Sequence, residues 1–441
     1  MINNATQSRA LKWFAILTAA TTFLLVWVGG LVTSHGAGLA VPDWPNTFGY
    51  NMFFFPFSKW IGGIFYEHSH RLIASGVGML TMILTLWLHG RNARPLLRWG
   101  GAALVAAGAI CCLAIPRRLP EDLLLCGLGT VAQVAAFVWP NCDPSPRWLR
   151  TLGLVAFGAV VLQGVLGGLR VVELKDQIGI FHATLAQLFF TLVCAIALFQ
   201  TDFWRRLPVG SEADLAGVRY FFLGATILIL AQLVLGATMR HQHAGLAIPD
   251  FPAAYGKVWP ATDAPSIASY NSSRLEVDAV KPITAAQVVL QMVHRIMALA
   301  IFATVALCAW KTVRQFGWSH RLSRVAGGWF LLICAQVCLG AATIWTGKAA
   351  DVATAHVAVG ALSLVTGRLL SIIAFRTLAV RAVQSPVAVF GRAGSSECGD
   401  RSPLINGATC RADQSADMPA YSKGRRLRVT GDNHALPANI S

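Results

Sequence analysis

The chain has 441 residues, 55% hydrophobic and only 13% charged, with a formal net charge of +16 and a mean hydropathy of +0.57. That balance excludes a large soluble domain. It points to a polytopic α-helical membrane protein, because only helices and closed barrels satisfy their backbone groups in lipid and the continuous apolar runs select helices. Most of the positive charge lies in short loops between those runs, where it reads as an orientation signal and not as a nucleic-acid surface.

Residues 1–9 are short and polar, without the small-residue cleavage site of a removed signal. The first predicted span covers residues 12–32. An outer loop, 33–66, carries Ala37-Gly38-Leu39-Ala40-Val41-Pro42-Asp43-Trp44-Pro45 and the aromatic patch Phe53-Phe54-Phe55-Pro56-Phe57. The second span, 67–88, is closed by Arg91, Arg94 and Arg98. Two weaker runs follow, 101–115 and 123–139, separated by Arg117, Arg118, Glu121 and Asp122. A helical hairpin is the simplest reading of this inserted region, 96–150, since two extra crossings leave the downstream topology unchanged. The shortness of its first run keeps a re-entrant segment open. Spans 152–169, 178–199 and 218–238 precede a second long outer loop, 239–282, and the last spans are 284–310, 325–345 and 352–375. The basic residues flanking the spans fall on one side, which the positive-inside rule makes cytoplasmic, so both chain ends are expected inside. Cys194, Cys308, Cys334 and Cys338 lie within apolar runs and read as small core residues. The polar tail, 383–441, is expected to be disordered.

The chain repeats itself. The Ala37–Pro45 motif with Phe48-Gly49 recurs as Ala244-Gly245-Leu246-Ala247-Ile248-Pro249-Asp250-Phe251-Pro252 with Tyr255-Gly256. Glu67-x-x-His70-Arg71 matches Gln291-x-x-His294-Arg295, and the Gln163–Gly168 segment upstream of His182 matches Gln336–Ala341 upstream of His356. The predicted fold is therefore all-α and polytopic, a tandem pseudo-twofold pair of four-helix bundles: eight core transmembrane helices, or ten if the insertion adds two. The halves are 1–200 and 201–382, a parallel repeat about an axis along the membrane normal.

A lone histidine at a helix end is commonly a hydrogen-bonded structural group. Four of them, two per half and at similar depth on different helices, are the natural way to hold a planar macrocycle with one axial ligand from each side. Zinc would call for three or four gathered ligands. Arg71 and Arg295 follow two of these histidines where haem propionates would emerge, and guanidinium pairs with carboxylate bidentately; the bland reading is a snorkelling interface anchor. Glu67 shares a helix face with His70, while the second half has the uncharged Gln291. If one site performs proton-coupled chemistry, it is the first; otherwise Glu67 is a water-exposed carboxylate at a helix start. His68 points off that face and reads as a spare or supporting group, and His35, His241 and His243 as polar loop residues, near enough to serve otherwise as redox or propionate contacts. The aromatic patch 53–57 suggests a loop folded back over the membrane end of the bundle.

With these motifs, together with Gly29-Gly30-Leu31-Val32, Phe181-His182-Ala183-Thr184-Leu185-Ala186-Gln187 and His356-Val357-Ala358-Val359-Gly360, the chain resembles the heme A synthase family. The resemblance covers nearly all of it except the insertion and the tail. It implies oxidation of the C8 methyl group of haem O to a formyl group, giving haem A for cytochrome oxidase. By motif, His70 and His182 would flank haem O as substrate, His294 and His356 would ligate a haem b cofactor through its iron, and Glu67 would be the catalytic carboxylate. It also implies a multi-pass protein of the cell (inner) membrane, served by haem O synthase (the protohaem farnesyltransferase) and an electron donor, with membrane lipid around it and a homo-oligomer allowed. The loop 33–66 contains no cysteine pair, so a thiol redox role there is not available. The rival reading is a bis-histidine di-haem electron-transfer protein.

Overall fold

The computed structural model describes residues 4–114, 119–214, 217–273 and 282–379. The tail and Arg117–Arg118, on which expectations were placed, lie outside the described residues. Helix α1 (Asn4–Ser34) is followed by α2 (Gly62–His89), α3 (Ala93–Ala114), α4 (Leu119–Val138), α5 (Arg147–Glu173) and α6 (Asp176–Gln200). A short α7 (Asp202–Arg206) leads to α8 (Val218–His241). Then come α9 (Ala264–Ser272), α10 (Ala285–Phe316), α11 (Arg321–Trp345) and α12 (Ala350–Thr377). A two-residue parallel pairing joins β1 (Glu212–Ala213) to β2 (Leu378–Ala379).

Among the described residues, eight segments are long and apolar enough to cross a membrane. One of them, Gly62–Leu113, is 52 residues long, about 78 Å if straight, against a hydrocarbon core of about 30 Å. It breaks at Gly90, whose φ of 55° ends α2. There the backbone passes so close to Cys142 and Asp143 that a Cβ would collide with them. The expected hairpin is thus the helix pair α3 and α4, packed with the backbones of Gly101 and Gly129 in contact, the close approach that small residues permit. It is fastened to the bundle end by Arg91 N–H to the Cys142 carbonyl, Ser145 N–H to Leu88 and Arg94 to the Trp139 carbonyl.

The helices extend past the predicted spans at most ends, because backbone hydrogen bonding continues through polar residues that a hydropathy window leaves out. Helix α10 starts where predicted, since Thr284 and Gln287 form a capping box. Helices α1, α2, α5 and α6 close into one ring and α8, α10, α11 and α12 into a second. Phe190, Ala361 and Val365 sit at the seam with Phe23 and Val26. Of the cysteines read as core, Cys308 is buried, Cys194 and Cys334 are half-buried, and Cys338 is exposed on the bundle surface.

Candidate functional site

The two repeated loops form lids built by the same turn chemistry. The Asp43 carboxylate accepts the backbone N–H groups of Phe48 (2.7 Å) and Gly49 (2.8 Å), and Asp250 accepts those of Tyr255 (2.7 Å) and Gly256 (2.9 Å). These pairs lie at the centres of tight turns closed by Thr47 with Tyr50 and Ala254 with Lys257. All four central residues have positive φ, the type I′ geometry in which glycine is unstrained. The peptide before Pro45 and before Pro252 is cis in both. Burial acts to raise the Asp43 carboxyl, but the Gly49 and Phe48 N–H donors and the charge of Arg71 outweigh it and hold it below the ordinary carboxylate value. Trp44 lies across the bare backbone of Gly168 in α5. In the second half Phe251 meets Trp345 of α11, with ring centroids 6.0 Å apart.

The lids are fastened by residues that the sequence had marked. Glu67 is 4% exposed and accepts Val41 N–H (2.9 Å) and Arg71 Nη2 (2.7 Å). Arg71 also donates to the carbonyls of Val41, Asp43 and Asn46. Gln291 accepts Ile248 N–H (2.7 Å) and donates to the Gly245 and Ile248 carbonyls. Arg295 donates to Asp250 and Ala253 and stands over the Phe251 ring. Helix α2 begins five residues before Glu67, so this carboxylate is buried in the second turn and not exposed at a helix start. His68 is no spare group: it is fully buried, faces Thr47 Oγ1 at 3.2 Å and packs on Phe55 and Trp60. Of the aromatic patch only Phe55 turns inward, while Phe53, Phe54 and Phe57 are exposed. His241 ends α8 and its ring fills the space above Gly179 in α6. His35 stacks on Tyr66.

Beneath the lids stand the four histidines. His182 and His356 lie six residues after the first residue of α6 and α12, and His70 and His294 lie eight and nine after that of α2 and α10. All four are roughly 9–14 Å from the N-terminal ends of their helices. Each ring is seated on a glycine of the neighbouring helix. A Cβ would come within 3.0 Å of His70 at Gly29, 3.4 Å of His182 at Gly167, 3.4 Å of His294 at Gly236 and 3.1 Å of His356 at Gly340. In every ring Nδ1 is buried without a hydrogen-bond partner. His70 lies within electrostatic range of His182, and His294 of His356. Two imidazoles from two helices, sealed at one nitrogen, form the donor set of axial haem ligation. Among the described residues no three His, Cys, Asp or Glu side chains gather as a metal-ion site.

Sequence reasoning missed the glycine seats and the glutamines beside them. Gln163 donates to the His182 carbonyl and Gln232 to the His294 carbonyl, each at 2.9 Å, and Gln336 lies against Gly360 of α12. The available signal was Gln-x-x-x-Gly, which recurs at Gln163–Gly167, Gln232–Gly236 and Gln336–Gly340.

Residues 124–367, more than half of the chain, match the model of the family described as cytochrome oxidase assembly protein, COX15-CtaA. The chain belongs to this family. Among its relatives is the heme A synthase of Geobacillus kaustophilus, 24% identical over 360 residues, covering 79% of this chain and 87% of the relative. That of Rhizorhabdus wittichii is 26% identical over 373 residues, with 81% and 92% covered. That of Lysinibacillus sphaericus is 23% identical over 355 residues, with 79% and 90% covered. In this family member each half holds one lidded histidine pair, His70 with His182 and His294 with His356.

Proposed function

We propose that this chain is a heme A synthase, oxidising the C8 methyl group of haem O to a formyl group by successive hydroxylations and loss of water. The observation that carries the reading is the fourfold seat: each of four imidazoles rests on a glycine with Nδ1 buried, two per helix ring. His70 and His182 flank the substrate in the first half, and His294 and His356 hold haem b iron in the second. Haem b, when bound, supplies one-electron redox chemistry. The lids exclude water from the outer mouths of both rings. Glu67 keeps a carboxylate beside His70, with Oε2 accepting the Val41 N–H and Oε1 paired with Arg71, so a proton moved at this group is exchanged against the Arg71 ion pair. The sites lie in the outer half of the cell membrane with both chain ends cytoplasmic. Haem O comes from the protohaem farnesyltransferase; each hydroxylation removes two electrons from the methyl carbon and requires an oxidant as well as the electron donor that serves the site.

The test is extraction and chromatography of haems from cells that make haem O, with and without this protein. A new haem A peak is expected. Only haem B and haem O, from cells containing the red, bis-histidine protein and a reductant, would overturn the reading in favour of a di-haem electron-transfer protein.

A further inference from the structure

Four arginines stand near the histidine pairs, and three of them are spoken for. Arg71 and Arg295 donate to lid carbonyls. Arg240 of α8 crosses to α1, donating to the Gly30 carbonyl and to Ser34. Arg170 donates to nothing among the described residues. It lies on α5 less than one turn beyond Gly167, the seat of His182, and stands within electrostatic range of both His70 and His182. Its guanidinium is pressed against the first lid, where a Cβ on Gly38 would lie 2.5 Å from Nη2. Glu67 and Asp176 are near enough to feel its charge, yet neither forms an ion pair with it. Both oxygens of Glu67 are already engaged, by Val41 and Arg71.

A half-buried guanidinium at a membrane-helix end is costly without an anion, and such groups mark functional positions with a partner. The group that would enter here is a macrocycle between His70 and His182, whose only anionic substituents are two carboxylates. We propose that Arg170 is the carboxylate-binding residue of the first-half site, gripping a propionate through its planar fork. The matching position in the second half, three residues after Gly340, is Thr343, so this grip belongs to one site only. The proposal rests on the haem reading of the His70–His182 pair.

The experiment titrates iron protoporphyrin IX, or its dimethyl ester, into the purified full-length protein with its second site already loaded. The probe is first-site Soret absorbance, identified as the part that His70→Ala abolishes. The unsubstituted protein is expected to favour the free acid over the ester by about ten- to hundredfold, the size of one charge-assisted contact. Arg170→Gln should bring that ratio close to one, and Arg170→Lys should restore part of it. The second-site Soret band, unchanged in each variant, reports correct folding. A full free-acid preference retained in Arg170→Gln overturns the proposal and leaves the site standing. Absence of any His70-dependent absorbance overturns both.

Discussion

The two halves lay the same lid over the same kind of histidine pair, yet fasten it differently. In the first, Glu67 grips the Val41 N–H and forms an ion pair with Arg71 at 2.7 Å. In the second, Gln291 grips the equivalent Ile248 N–H and turns its amide to lid carbonyls. The lid therefore needs an acceptor at this position and does not need a charge. A buried carboxylate costs far more than a buried amide unless paired, and in the first half the Arg71 guanidinium supplies that pairing. The rest of the lid shows how packing absorbs change: Trp44 over Gly168 in one half is replaced by Phe251 and Ala341 at the matching positions in the other.

The sharpest contrast between halves is expected at the histidines. Replacing His294 or His356 by Ala should remove the resident haem spectrum of the purified protein, whereas His70→Ala should leave it intact and abolish haem A formation; an unchanged spectrum in all three would end the division of labour. Next comes the anchor. Glu67→Gln should reproduce the second-half fastening, keeping thermal stability within about 1 kcal/mol while lowering haem A formation by about a hundredfold or more, the range of proton-transfer catalysis. Undiminished haem A formation would reduce Glu67 to an anchor.

The packing contrast is smaller. Gly168→Ala should destabilise by about 1–3 kcal/mol by crowding Trp44. Adding Trp44→Phe, the second-half solution, should recover most of it, and strict additivity in the double-mutant cycle would show that the two do not share a space. The smallest effect concerns the turn. Because the Asp43 value is depressed in the fold, its stabilisation is present above the unfolded carboxylate value of about 4 and is lost as pH falls through the lower folded value. Asp43→Asn should therefore remove up to about 1 kcal/mol at neutral pH and nothing at the acid end. Parallel pH–melting curves for the two proteins would contradict this.

Arg71 shows where reading the sequence stops. Its place directly after His70 pointed to haem carboxylates, but its donors go to the backbone of a loop some 30 residues earlier in the chain. Arg170, which stands within electrostatic range of both rings, had no motif to mark it. His68 likewise looked idle on its helix face, because the groups that bury it come from the lid. The glycine seats were visible only as parts of a repeat, since a missing side chain acquires a role only when another helix brings an imidazole to it.

By itself the sequence determined the helical membrane class, the tandem repeat, the two lids and the four histidines. Apolar length, charge placement and local turn chemistry are properties of contiguous residues, and the repeat doubles each signal. Only the tertiary structure decided which polar groups are already satisfied and which are left to meet a ligand. That question turns on contacts between residues distant in the chain: Glu67 with Val41, Arg71 with Asp43 and Asn46, and Arg170 with the bare backbone of Gly38.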